Sequence, residues 1–312
     1  MCTFNGEKYL SAQLDSIARQ SVLPYELVIC DDSSTDTTGD VVLRFAQTVR
    51  FPVRFHKNET NLGSTKNFER AISLCSGDLI ALSDQDDIWY PEKLATLSSA
   101  LEANPEAGGV FSDADLMDEA SRPRGRTLWQ AFGFDAPLRR RWHDSGAESV
   151  LFRQEVVTGA TLMFRADLRT LVIPIPALWI HDAWIAWIIA FVSPLDFVES
   201  RLIRYRVHAS QREGIPKTGP WMKLRRALKS DAPNHARSLR KYQDLADRLM
   251  KLFTQEAVRQ QKGMNEKIEH LRFRATLPDR GLHRVLGVLK HFPGYMRFTR
   301  GLPEIVKDLL CA

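Results

Sequence analysis

DLIALSDQDDIW, residues 78–89, runs from an apolar strand into three carboxylates within four positions, Asp84, Asp86 and Asp87. Crowding like charges raises their pKa values and costs stability. A solvated turn is one explanation, since Asp favours turns and the helix PEKLATLSSALEA follows, with Pro91 at its first position and Glu92 behind it. A divalent cation is the other, because it turns the repulsion into attraction and takes oxygen ligands. Spacing alone leaves both open.

The surroundings favour a site. ELVIC at 26–30 is a short buried strand that ends at Asp31 and Asp32, and TTGDVVLRFAQTV at 37–49 reads as a helix with Asp36 as its cap. PVRFH at 52–56 is a second strand, and STKNFERAISLC at 64–75 a helix with apolar spacing at Phe68, Ile72 and Cys75. DLIAL and GGVFSDA at 108–114 supply further strands. Strands alternating with helices imply a mixed, mostly parallel α/β sheet covered on both faces. Ligands of such sheets bind beyond the carboxyl ends of the strands, where both acidic clusters fall. The start is abrupt. TFNGEKYLSAQLDSIARQ reads as a loop and an amphipathic helix with only Met1 and Cys2 before it, so the first strand is expected to be cut short or lacking.

Residues 121–150, with SRPRGR and LRRRWHDSG, read as surface loops. VVTGATLMFRADL at 156–168 reads as a strand and a polar turn. The apolar stretch 172–195 is no membrane span: Pro174, Pro176, His181 and Asp182 break it, and AWIAWIIAFV runs for only 10 residues. A buried helix is expected there, with Trp184 and Trp187 in the core. From about residue 217 the pattern turns helical and basic, as in MKLRRALKS and ARSLRKYQDLADRLMKLF.

The net charge of +5 hides a division. Residues 201–312 carry 25 Lys and Arg against 10 Asp and Glu, whereas residues 1–200 hold 18 against 28. Basic faces attract nucleic acids or anionic membranes. No nucleic-acid-binding motif is present, which leaves a solvated helical face or an anionic membrane surface. The four cysteines form no CxxC pair, as expected of reduced thiols in a cytosol, and with Cys-Thr-Phe-Asn-Gly directly after Met1 no signal peptide is expected. Neither GxGxxG nor GxxxxGK[ST] occurs, so dinucleotide-oxidoreductase and P-loop readings lack support. SDQDDIWYPEKL lacks the glycine and ligand spacing of an EF-hand, and Asn58-Glu59-Thr60 is read as a chance glycosylation sequon.

Taken in order, CTFNGEKYL, VICDDSSTDTT, NLGSTKNFERAISLCSGDLIALSDQDDIW, GATLMFR, HDAW and YRVHAS resemble a family 2 glycosyltransferase of the GT-A fold, over roughly residues 2–211. SDQDDIWYPEKL resembles its rhamnosyltransferase-like subgroup. The resemblance implies a GT-A nucleotide-diphospho-sugar transferase domain over 1–212 and a basic helical region over 213–312. It puts Thr3, Asn5 and Glu7 in the loop that meets the nucleotide, and Asp31 and Asp32 at base and ribose. Asn61 and Lys66 fall in the segment closing over the nucleotide. Asp84 and Asp86 match the DxD pair that holds Mg²⁺ or Mn²⁺ on the donor diphosphate, and His208 falls where some members place another metal or diphosphate contact. Asp182 matches the base for the acceptor hydroxyl. By its position alone, Asp182 reads first as a helix cap, and the motif order turns that reading towards the base.

The implied chemistry is inverting, metal-dependent sugar transfer from a nucleotide-sugar donor to a glycan or lipid-linked acceptor in cell-surface polysaccharide synthesis. Its place would be the cytoplasm, at the inner face of the membrane if the basic region attaches there. A nucleotidyltransferase and a catalytically degenerate nucleotide-sugar-binding protein are the rivals.

Overall fold

The chain opens on a strand of two residues, Cys2–Thr3 (β1), in a computed structural model that describes residues 1–208, 232–252, 257–278 and 281–310. It pairs in parallel with Leu27–Asp31 (β2) across the helix Leu10–Ala18 (α1), whose Leu10, Leu14 and Ile17 are buried at the spacing of one face. The helix Thr38–Ala46 (α2) leads to Val53–Lys57 (β3), parallel to β2, and Ser64–Leu74 (α3) follows. Asp36 is not the cap expected of it, a place taken by Thr37; it accepts from the N–H of Thr38 at 3.0 Å from one residue further back. Short as it is, β1 is well held. The Met1 ammonium donates to the Val28 carbonyl at 2.8 Å, Cys30 N–H to the Met1 carbonyl at 3.0 Å, and Cys2 N–H to the Ser83 carbonyl at 3.3 Å. That last bond joins the first sheet to the chain beyond Leu79–Ala81 (β4).

The second sheet begins with β4 and Ile88–Trp89 (β5), then the helix Lys93–Ala103 (α4) and the strand Gly109–Met117 (β6). The expected loops of 121–150 are ordered elements instead. Pro123–Thr127 (β7) pairs antiparallel with β6, and Leu128–Phe132 (α5) follows, capped reciprocally by Thr127 and Gln130. Ala136–Ser145 (α6) and Glu148–Leu151 (α7) complete the stretch. Leu162–Arg165 (β8), Arg169–Val172 (α8), His181–Val192 (α9) and the long strand Leu195–Arg206 (β9) come next. The second sheet has the order β4-β8-β6-β9-β5, with β7 on β6.

Only β1-β2-β3 is parallel throughout. In the second sheet β6 and β9 are parallel, while β8 runs antiparallel to β4 and β6, and β9 to β5. The sheet is mixed as expected, but parallel pairing dominates only its first part. Apolar spacing reports a strand and not its direction.

Two units divide the chain, Met1–Arg140 with Val156–Ile215, and Arg141–Glu155 with Pro216–Ala312. The expected boundary at 212/213 and the segment MKLRRALKS lie outside the described residues. The second unit contains the helices Ala232–Leu252 (α10), Ala257–Ala275 (α11), Leu282–Lys290 (α12), Phe292–Phe298 (α13) and Leu302–Leu310 (α14). Its small core gathers Val288, Tyr295 and Ile305 with Phe273, Leu277 and Leu309. Beside it Arg274 reaches both carboxylate oxygens of Asp308, at 2.6 and 3.0 Å. No helix among the described residues is long and apolar enough to cross a membrane.

Candidate active site

The carboxyl ends of β1, β2 and β4 meet: β1 and β2 bond through side chains, and β4 is joined to β1 through the backbone of Cys2 and Ser83. Thr3 Oγ1 donates to Asp31 Oδ1 at 2.7 Å, and Asp31 also accepts from Ser34 N–H at 2.9 Å and Ser34 Oγ at 2.6 Å. Asp32 accepts from Asn58 Nδ2 at 2.8 Å and from the N–H groups of Leu62 and Gly63 at 2.7 and 2.8 Å. Asn61 Nδ2 donates to the Asp32 carbonyl at 3.2 Å. Both buried carboxylates thus shape the loops around the β2 end. The Asn58 of the chance sequon is buried and spends its amide on Asp32, Asn67 and Arg70.

Asn5 and Glu7 are exposed and tie the loop after β1 to the turn before α2. Asn5 Oδ1 accepts from Thr35 N–H at 3.0 Å, and Glu7 from Thr37 N–H at 3.1 Å and its hydroxyl at 2.8 Å. Lys66 donates to Glu69 and to the Ile175 carbonyl, each at 2.8 Å.

The acidic turn is built differently. Asp84 is half-buried and its carboxylate makes no hydrogen bond among the described residues. Burial, with Asp86 and Asp182 nearby, pushes its pKa up to about 7. Asp86 Oδ2 lies 2.7 Å from His208 Nε2. Asp87 is fully buried, accepts Arg206 N–H at 2.9 Å and leaves its other oxygen without a partner. Burial first, then Asp86 and Asp84, pushes its carboxyl well up. Asp182 sits in the first turn of α9, where the helix dipole favours negative charge. It is not the cap, a place taken by Ile180. One of its oxygens accepts Gly159 N–H at 2.9 Å and the other Ala183 N–H at 2.7 Å. Gly159 has to be glycine, since a Cβ would lie 2.8 Å from His181 Nε2 and 3.3 Å from Asp182 Cβ.

A divalent cation fits this arrangement. Among the described residues no three His, Cys, Asp or Glu side chains form a metal site by themselves. Asp84 and Asp86 nevertheless offer two carboxylates at one turn, one of them without a hydrogen-bond partner among the described residues and driven towards protonation by burial and then by its acidic neighbours. Mg²⁺ characteristically takes one or two protein carboxylates and fills its shell with phosphates and water.

The pattern of Glycosyl transferase family 2 matches residues 1–159, about half of the chain. The chain belongs to glycosyltransferase family 2. It spans about a third of the length of the curated relatives it matches first. One relative, the Escherichia coli UDP-Glc:alpha-D-GlcNAc-diphosphoundecaprenol beta-1,3-glucosyltransferase WfgD, is 35% identical over 94 residues, 30% of this chain and 36% of that one. The structure of S. aureus TarS 1-349 in complex with UDP-GlcNAc has a TM-score of 0.56 at 16% identity, covering 98% of this chain and 87% of that one. The mannosyltransferase PcManGT from Pyrobaculum calidifontis, in complex with GDP-Man and Mn²⁺, has a TM-score of 0.51 at 18% identity, covering 95% and 76%. The fold is therefore GT-A.

Several residues of this family 2 site went unremarked in the sequence. Gln85 clamps one peptide, accepting Phe4 N–H at 2.8 Å and donating to the Phe4 carbonyl at 3.0 Å. Gly6 leaves room for it, since a Cβ there would lie 2.3 Å from Gln85 Oε1. Arg206, buried at the end of β9, donates to the carbonyls of Asp86, Asp118 and Glu119 and packs over Tyr9. Lys93 is fully buried, with its ammonium 3.5 Å from the centroid of Trp89 and 2.7 Å from the Ala160 carbonyl. The only sequence signal for these two was a cation within an apolar run. Trp184 and Trp187 are fully buried, as expected of core residues.

Proposed function

We propose that the protein is an inverting, metal-dependent glycosyltransferase. It moves a sugar, rhamnose being the one the SDQDDIW variant suggests, from a nucleotide-diphosphate donor to a hydroxyl of a glycan or lipid-linked acceptor in polysaccharide synthesis. Thr3, Asn5, Glu7, Asp31, Asp32, Asn61 and Lys66 form the nucleotide cradle. Asp84 and Asp86 hold the cation, with His208 beside them. Bound there, Mg²⁺ or Mn²⁺ supplies charge neutralisation to the departing diphosphate. The observation that supports this reading is the Asp84 carboxylate, which has no hydrogen-bond partner among the described residues beside Asp86 in the acidic turn, with Asp182 of α9 near enough to add to the effect of burial on it.

Asp182 takes the proton from the acceptor hydroxyl as the new glycosidic bond forms at the anomeric carbon and the bond to the diphosphate breaks. Each of its oxygens accepts one bond in the structure and keeps a further lone pair. The Gly159 and Ala183 N–H groups fix its direction. The work is done on the cytoplasmic side, where the basic C-terminal region brings the enzyme to an anionic membrane surface. Donors are tested by incubating the protein with nucleotide sugars, with and without Mn²⁺, and measuring released nucleoside diphosphate. Pyrophosphate release would instead mark a nucleotidyltransferase, and nucleotide binding without turnover a degenerate protein.

A further inference from the structure

The helix α12 is pinned on one side and apolar on the other. Arg284 and Val288, four residues apart, are buried, and Gly287 faces the ring of Phe273. The opposite face carries Leu282, Val285, Leu286 and Leu289 at i, i+3, i+4 and i+7, with Leu282 69% exposed, Leu286 54% and Leu289 58%. Phe292 and Met296 of α13 extend the exposed apolar series. A helix face of this spacing is normally turned inward, and contiguous exposed apolar surface marks an interaction site.

The charges in the same stretch are one-sided. Residues 281–310 hold five Lys and Arg against Glu304 and Asp308. Both acids bind Arg274. The side chains of Lys290, Arg300 and Lys307 have no ion-pair or hydrogen-bond partner among the described residues. Two copies meeting on this face about a two-fold axis would bring the same basic stretch together twice, with no free acid in it to offset the charge. Anionic headgroups would neutralise them, and the leucines would enter the acyl boundary.

We infer that the α12–α13 face docks on an anionic lipid surface, lying in the plane of the interface. This specifies the membrane contact named under the proposed function and rests on that part of it alone. No step of sugar transfer enters the argument, and binding is read without donor or metal. Failure here would therefore leave the active-site reading standing.

The whole chain is floated with phosphatidylcholine vesicles and with vesicles containing about one third phosphatidylglycerol. The wild type should float with the anionic vesicles only, and progressively less as salt screens the attraction. The double variant Leu286→Glu, Leu289→Glu should lower the bound fraction by about tenfold or more with an unchanged thermal melt, since both positions are exposed. Lys290→Glu with Arg300→Glu should weaken binding and flatten its salt dependence. Undiminished binding by the leucine variant, or equal binding to neutral vesicles, overturns the proposal. So does a dimer in sedimentation that the leucine variant dissolves while the wild type ignores both vesicles.

Discussion

His208 Nε2 and Asp86 Oδ2 lie 2.7 Å apart although 122 residues separate them. Two residues before His208, Arg206 gives its N–H to Asp87 and its Nε–H to the Asp86 carbonyl. The end of β9 thus holds the acidic turn from one side. His208→Ala should weaken Mn²⁺ binding by about 10–100-fold, the usual effect of removing a group that orients a ligand. Asp86→Ala should abolish metal-dependent turnover and leave the melt unchanged. A Mn²⁺ titration decides the first, and full turnover in excess EDTA would refute the second.

Asp182→Asn keeps the side chain's shape and one accepting oxygen but cannot take a proton. Turnover should fall by about 10²–10⁴-fold, with nucleotide affinity unchanged. Stability should fall by about 1 kcal/mol, since one oxygen no longer accepts. Turnover near that of the wild type would move the base elsewhere.

Lys93 and Asp87 are both buried beneath the site. Burial lowers the Lys93 pKa to about 7, opposed by Asp87 and Asp84. Lys93→Met leaves Asp87 buried without that cation and should destabilise the fold by about 3 kcal/mol. In urea unfolding, Lys93→Met combined with Asp87→Asn should cost less than the sum of the two by about 1–3 kcal/mol. Strict additivity would show that they do not interact.

His270 is buried in the second unit with neither ring nitrogen bonded. Burial, then Arg274 and Lys267, lowers its pKa from 6.5 to about 3. Between these values the unfolded chain binds a proton that the folded chain rejects. Stability is therefore flat above about pH 6.5 and lost as pH falls towards 3, by up to about 1.4 kcal/mol per pH unit. His270→Phe should flatten that limb in urea unfolding measured across the range. An unchanged slope would assign the acid sensitivity to other groups.

What could be read beforehand followed spacing and punctuation. The buried helix α9 was visible as AWIAWIIAFV, and the strand ends as Asp31, Asp32 and the acidic turn, because burial and charge both leave marks in composition. Strand direction was not visible. β9 was passed over because RLIRYR carries three arginines, one of which, Arg206, is buried while donating to backbone carbonyls. In 121–150 the arginines of SRPRGR suggested loops, while the Thr127–Gln130 capping box stood in plain view. Lys93 read as an ordinary helix lysine because no local pattern shows that Ala160, 67 residues on, supplies its acceptor.

The Gln85 amide does for Phe4 what a neighbouring strand does for a residue in a ladder, donating to its carbonyl and accepting its N–H. The loop that would carry the nucleotide is thereby fastened to the turn that would carry the cation. Ordering either end lowers the entropy still to be lost at the other. Linkage then requires reciprocity: whatever factor the cation adds to donor affinity, the donor adds to cation affinity. The exposed peptide of Phe4 would then report that coupling, and its amide should exchange with solvent more slowly as either end fills.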